Sequence, residues 1–305
     1  MPLMTTALRY FDEVARQGSI RRAADHLHVA ASAVNRQILK LEDELGVPLF
    51  ERLPRGLRLS SAGELLVYQV RQWQRDERQL LGVLDDIRGT GTSEVRVASV
   101  ESVTDRLLPV TIRRFMERYP RVRFDLSTDL TDPIIDAILS GEADIGLCIN
   151  PPSNPRLRTL RRLELRFGVV MAPWHALARA SELRLKDFEN VPVILPDQAM
   201  FRGSTLERAL STQDVRLSAV AACGRILSMK SLAREGVGVA FLNPLDVTRE
   251  LAEGELVFVP LRDRGIAAAQ LEMCVAKDRP LPLAIAVFAE MLDEALKELD
   301  VATTV

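Results

Sequence analysis

The sequence predicts an α plus α/β chain in three consecutive parts. These are a winged helix-turn-helix over residues 1–60, a long linker helix and hinge over 61–90, and a two-lobed α/β body over 91–305. Three observations carry that expectation. Residues 18–45, GSIRRAADHLHVAASAVNRQILKLEDEL, hold two short helical patterns around a tight break. Residues 62–88 hold a long helical stripe with no proline inside it. From residue 94 onward, short apolar runs alternate with helical ones, the pattern of a parallel sheet.

A first helix over about residues 4–16 sets Leu8, Phe11, Val14 and Ala15 inward and ends at Gly18. Ser19 caps a second helix whose inner side carries Ala23, Ala24 and Leu27. After a break at His28–Ala30, the third helix places Val34, Ile38, Leu41 and Leu45 on one stripe. Its other side carries Ser32, Arg36 and Asp43, with Asn35 and Lys40 on the flanks. From 16 to 40 the charges are Arg16, Arg21, Arg22, Arg36 and Lys40 against Asp25 alone. Such a pair, apolar inside and basic outside, suits the DNA major groove, although any solvated helical hairpin has one apolar and one polar face. ERLPRGLRLSSAG then reads as a small hairpin with Arg52, Arg55 and Arg58 at its tip and Leu57 and Leu59 packing back. Beside a helix-turn-helix, a basic wing of this kind touches phosphate or minor groove.

Ser60 or Ser61 caps the long helix, in which Leu66, Val70, Trp73, Leu80, Leu84 and Ile87 keep a four-three alternation interrupted at Glu77. A helix of about 27 residues is about 40 Å long. That stripe outruns the small domain before it and favours a seam with a second copy of the chain, the alternative being core packing within one chain. GTGTS at 89–93 has the composition of a hinge. Strands are then expected at 95–100, 122–127 and 143–149, with helices around Leu107–Arg118 and from Pro133 to Ser140, the latter capped by Thr131 or Asp132. A second set of apolar runs follows at 166–172, 191–196, 215–222, 236–242, 256–261 and 271–276, and an amphipathic helix over about 281–299 ends the series. Two lobes result, the first about 94–163 with 268–300 and the second about 164–267, with a ligand cleft where strands end and helices begin.

Composition excludes several functional classes. With 40 Lys and Arg against 42 Asp and Glu the net charge is −2, so attraction to nucleic acid has to be local. Residues 1–58 carry nine basic and seven acidic side chains, with the acids gathered at the end of the third helix. Cys148, Cys223 and Cys274 are odd in number, widely spaced and set in apolar runs, which is the usage of buried free thiols in a reducing cytosol. His26, His28 and His175 are too scattered for a metal site. The N-terminus lacks the regions of a signal peptide, and no apolar run reaches membrane-spanning length, so a cytoplasmic protein is expected. No phosphate loop, Gly-x-Ser-x-Gly elbow or histidine beside a nucleophile supports an enzyme, and no cofactor or metal is called for. A solute sensor that uses its helix-turn-helix only for assembly would not need a three-arginine wing.

The order of winged helix-turn-helix, long helix and α/β body resembles the LysR-type transcriptional regulators over nearly the whole length. FDEVARQGSIRRAADHLHVAASAVNRQILKLEDELGVPLFERLPRGLRLSSAG carries most of the resemblance, joined by LLPVTIRRFMERYPRV, SGEADIGL, PWHALA and REGVGVAFLNP. The resemblance implies a DNA-reading head, a dimerising helix and a two-lobed effector domain like the periplasmic binding proteins. It also implies a homodimer or homotetramer that binds promoter DNA, answers to a small co-inducer and meets RNA polymerase. By position, Ala30 to Leu45 is the recognition helix, with Ser32, Asn35 and Arg36 facing bases or phosphates and Arg22, Lys40, Arg52, Arg55 and Arg58 facing the DNA backbone. Ala30-Ala31 stands where the family often has Ser/Thr-Gln, which removes an adenine-reading group, while Asn35 can supply one. In the body, Ser102 and Thr131 fall where the family's ligand-contacting hydroxyls lie. Glu101 beside them disfavours an acidic ligand unless a cation such as Arg202 balances it; otherwise Ser102 and Thr131 merely cap helices and Glu101 faces solvent. Met200, Phe201, Ser204 and Cys223 are the second lobe's candidates for the same cleft.

Overall fold

The computed structural model describes residues 4–53, 56–87, 94–202, 204–211, 215–263, 266 and 268–303, and the chain forms two compact units, Met1–Thr92 and Ser93–Val305. The first unit contains helices α1 (Thr6–Gln17), α2 (Ile20–Leu27) and α3 (Ala31–Leu45), the hairpin β1 (Phe50–Leu53) and β2 (Gly56–Leu59), and helix α4 (Ser61–Ile87). Local chemistry sets these boundaries. Thr5 caps α1, and Gly18 at φ 60° ends it. Ser19 accepts the amide of Arg22 to start α2, and His28, left-handed at φ 54°, stops it. Phe11, Val14, Ala23, Ala24, Val34, Ile38 and Leu41 close the core with Leu49 and Phe50. Leu45 departs from the expected stripe and is 47% exposed. It is the last residue of α3 before Gly46, a turn beyond the point where α1 and α2 cover the helix.

Ser60 caps α4 through Gly63 N at 3.0 Å. The α4 stripe divides in two. Val67 and Val70 are buried in the first unit's core and Leu66 packs against it. Asp12 on α1 holds Arg71 and Gln74 at 3.2 and 3.3 Å. Farther along, Trp73 and Leu80 are exposed. The side chains of Leu84 and Ile87, like the GTGTS segment, lie outside the described residues.

The second unit holds two five-stranded sheets. It runs β3 (Glu94–Ser99), α5 (Leu107–Arg118), β4 (Arg123–Thr128), α6 (Thr131–Ser140), β5 (Ile145–Ile149), β6 (Leu157–Leu165) and β7 (Gly168–Met171). Then come β8 (Pro192–Pro196), α7 (Gln198–Phe201), α8 (Thr205–Ser211), β9 (Ser218–Cys223), α9 (Ile226–Arg234) and β10 (Val239–Leu242). The chain continues through α10 (Thr248–Ala252), β11 (Val257–Pro260), β12 (Ala269–Ala276) and α11 (Leu283–Thr303). The first sheet has the order β4-β3-β5-β12-β6 and the second β11-β7-β10-β8-β9. The chain passes from one sheet to the other twice, between β6 and β7 and between β11 and β12.

Strand β6 is not among the strands expected from sequence. Arg158, Arg161 and Arg162 mask its period-two burial, in which Leu163 and Leu165 face the core. Those charges are used at the sheet's margin, where Arg161 binds Asp293 of α11 and Arg162 meets Glu272 of β12 at 3.0 Å. Thr131 and Asp132 do not cap α6; the cap position is Leu130, which makes no side-chain bond.

Candidate functional site

In the first unit the exposed side of α3 presents Ser32, Arg36 and Lys40, with Asn35 half-buried at its edge. Lys40 lies 3.5 Å from Glu44, one turn further on. Helix α3 starts at Ala30 without a side-chain cap, so the helix start is left open beside Ser32. The hairpin stands next to this helix because several contacts fix it there. Leu57 N donates to Gly18 O at 3.0 Å, and a Cβ at Gly56 would come within 2.9 Å of that same oxygen. Glu42 accepts Leu49 N and Phe50 N at 2.7 and 3.2 Å, tying α3 to the entry of β1. Two expected phosphate ligands are engaged within the chain. Arg22 donates to Gln17 O at the end of α1, and Arg58 pairs with Glu51 at 2.6 Å. The Arg52 side chain and Arg55 lie outside the described residues; the Arg52 backbone pairs with Leu57.

In the second unit both sheets have the same switch of strand order. Around β3 the chain goes out to β4 and back to β5, and around β8 it goes to β9 and back to β10. The helical connections therefore part at the carboxyl ends of β3 and β5 in one sheet and of β8 and β10 in the other. Those ends hold Glu101, Ser102 and Asn150 on the first lobe and Asp197 and Asn243 on the second. The 3-10 turn Glu101–Val103 and the 3-10 turn Pro244–Val247 meet there.

The sequence candidates fall at these ends with individual differences. Ser102 is buried against Asp246, whose carboxyl burial pushes up to about 6; the Ser102 hydroxyl and Asn243 oppose that rise, and Glu101 adds to it. The Thr131 hydroxyl donates to Ile149 O at 2.8 Å and accepts Ile149 N at 3.2 Å, so it braces the end of β5. Glu101 neither faces solvent nor is answered by Arg202. Its oxygens accept Ile226 N and Leu227 N at 3.2 and 3.0 Å, the first amides of α9. Met200 N is held by Asp197, Phe201 packs against the second lobe's core, and exposed Arg202 closes α7. Ser204 accepts Glu207 N at 3.1 Å, capping α8. Cys223 ends β9, its carbonyl accepting Asp197 N at 2.8 Å.

A helix-turn-helix with an adjoining hairpin and a two-sheet body with paired switch points are thus both present. Residues 5–64 match the family model "Bacterial regulatory helix-turn-helix protein, lysR family", and residues 88–297 match "LysR substrate binding domain". The chain belongs to the LysR family. Its relatives include the HTH-type transcriptional regulator BbuR of Bordetella bronchiseptica, 27% identical over 87% of this chain and 82% of that protein. The RuBisCO operon transcriptional regulator of Allochromatium vinosum is 26% identical over 82% of each. Among solved structures, a single-residue variant of full-length OxyR from Pseudomonas aeruginosa superposes with a TM-score of 0.67 at 20% identity, covering 96% of this chain and 95% of that one. CbnR in complex with its target DNA gives 0.64 at 20% identity, covering 95% and 98%.

This LysR-type regulator thus has a DNA-binding helix-turn-helix and an effector-binding domain, and its family is one of transcriptional regulators, not enzymes. Sequence reasoning missed Glu42 as the strut of the wing, because a helix-end acid looks solvated until the chain folds back on it. It also missed Lys230, Asp246 and Glu250, each at most 5% exposed. An ionisable triplet spread from 230 to 250, on both sides of strand β10, gives no local signal of burial. The three cysteines are free and buried. Burial pushes the Cys148 thiol up to about 12, with Cys274 and Glu272 adding to the rise, so it stays protonated. No described helix is long and apolar enough to cross a membrane.

Proposed function

We propose that this regulator reads its operator with Ser32, Asn35 and Arg36 of α3 in the major groove, while Lys40 and the wing arginines Arg52, Arg55 and Arg58 hold the backbone. The observation that carries this reading is the exposed face of α3, where Ser32 stands beside the uncapped helix start with Arg36 one turn further on, and the wing is fixed alongside by Gly18 and Glu42. Arg22 bonds Gln17 O in the free protein, so its part is to steady the α1–α2 turn that the wing rests on. Asn35 takes over adenine reading from the glutamine that Ala31 replaces. A small effector binds between the lobes at the two switch points, bounded by Ser102 and Thr131 on one side and by Phe201, Arg202, Ser204 and Cys223 on the other.

The exposed half of α4, with Trp73 and Leu80, packs on a second copy to form a dimer, and dimers pair into a tetramer. This regulator works in the cytoplasm and contacts RNA polymerase at its promoter. A gel-shift titration of the full-length protein on its own upstream region tests the first reading. Binding has to prefer that DNA and weaken steeply with salt; a shift indifferent to sequence rejects it. For the effector site, a thermal-shift screen of metabolites on the full-length protein has to find a stabilising compound whose effect Ser102→Ala reduces.

A further inference from the structure

Two acidic side chains reach from the first lobe of the effector unit into the second. Glu101, from the 3-10 turn after β3, places its two oxygens on the Ile226 and Leu227 amides at the start of α9. Asp105, one turn further along the same connection, accepts Lys230 Nζ at 2.6 Å from the next turn of α9. Sheet and core identify the two sides: Glu101 and Asp105 join β3 to α5, whereas α9 lies between β9 and β10 of the other sheet. A helix start and a lysine on one helix are thus answered by two carboxylates presented from a single short segment.

Of these two contacts the second lobe can replace only the one to Lys230, because the start of α9 has no side-chain cap of its own. Lys230 also holds Glu250 at 2.9 Å within its own lobe, and Glu250 pairs with Arg249 at 3.3 Å. Burial works against the Lys230 charge, but its bonds to Asp105 and Glu250 outweigh that and hold its pKa above the usual value. Asp105, its side chain 40% exposed, is held below the carboxylate range chiefly by that same bond to Lys230. Closing the joint also has a cost. Asp105 and Glu250 converge on Lys230 and Arg249, Glu101 lies close enough to Asp246 to oppose its charge, and Asp246 Oδ1 and Glu250 Oε2 remain buried without a hydrogen-bond partner. Attraction across the joint is therefore set against crowding of like charge, which makes a contact that can be released rather than a fixed weld.

We propose that Glu101 and Asp105 form a charge clasp that holds the two effector lobes together and whose release lets them part. The clasp deepens the reading that an effector binds between the lobes. A ligand there shifts the lobes only by as much as its affinities for the clasped and released forms differ, and the clasp sets that difference. An acidic ligand group would compete with Glu101 for the Ile226 and Leu227 amides, and a cationic one would compete with Lys230 for Asp105.

The test measures the distance between lobes without any effector. Spin labels on Glu117→Cys in α5 and Lys186→Cys in the second lobe, both exposed positions, report that distance in the full-length protein. The native cysteines are buried, and dilution with unlabelled chain removes signals between copies. Glu101→Gln with Asp105→Asn is expected to lengthen the mean distance and broaden its distribution, and Asp105→Asn alone to do so partially. Both substitutions keep the side-chain volume and leave Lys230–Glu250 in place, so the fold persists, and a thermal melt close to wild type verifies it. An unchanged distribution in the folded double variant overturns the clasp and leaves the effector site standing. A changed distribution in a protein that answers to no metabolite supports the clasp and rejects that site instead.

Discussion

Replacing Asp246 by Asn should stabilise the effector unit at neutral pH and not at acidic pH. Asp246 is 5% exposed, and its carboxyl is raised from 3.8 to about 6, mainly by burial. The folded protein therefore binds this proton more tightly than the unfolded chain does. Stability from the protonated form is fully present below the unfolded value of 3.8 and is lost as pH rises through about 6. A rise of roughly two pKa units corresponds to about 3 kcal/mol of penalty above that range, at roughly 1.4 kcal/mol per unit. Asparagine has no charge to desolvate, and its carbonyl can still accept the Asn243 amide, which Asp246 Oδ2 holds at 2.9 Å. Some of the gain is lost with the charge-assisted character of that bond, so about 3 kcal/mol is the ceiling. Urea unfolding followed by Trp174 fluorescence in a Trp73→Phe background reads the effector unit alone, because the chain has two tryptophans. The variant should exceed its parent at about pH 7.5 and match or fall below it at about pH 4.5. An equal loss of stability at both pH values would refute the reasoning and mean that the carboxylate is a needed acceptor.

Other outcomes follow from the DNA-binding unit. Arg36→Ala should weaken operator binding by roughly 1–3 kcal/mol without lowering the melting temperature, and unchanged binding in a gel shift removes Arg36 from the DNA contacts. Arg58, paired with Glu51 in the free protein, should cost less on replacement, and Glu51→Gln should strengthen DNA binding by freeing it; fluorescence anisotropy at two salt concentrations compares the two. Leu80→Asp should lower the oligomeric mass seen by light scattering while leaving the first unit folded, since Leu80 is 49% exposed in the single chain. Phe11→Ala, by contrast, empties a fully buried ring that meets Phe50 at 5.4 Å and should destabilise the unit by about 3–5 kcal/mol in denaturant unfolding.

Much of the architecture was legible because its signals are local. Ser19, Gly18 and Ser60 act within three or four residues of themselves, and the spacings of Val34, Ile38 and Leu41 are those of one helix face. Alternating apolar strands announced the α/β body, while their order in the two sheets came only with the fold. Where pattern and charge disagreed, the pattern was lost, as in β6 with its three arginines. The candidate sites were legible as segments rather than as side-chain roles. Arg22 and Arg58 looked alike as exposed cations until the fold gave one a carbonyl and the other a carboxylate.

The sequence by itself determined the three-part order, most of the elements and most of the inward face of α1 to α3, because capping, turn preference and periodicity are properties of neighbouring residues. Only the tertiary structure decided what the charged residues do. Glu42 reaches the entry of β1 seven and eight residues on, and Glu101 reaches α9 across 125 residues. Lys230, Asp246 and Glu250, separated along the sequence, are a buried cluster only in the folded chain. Burial and long-range partners set the energy of a charge, and neither is a local property of the chain.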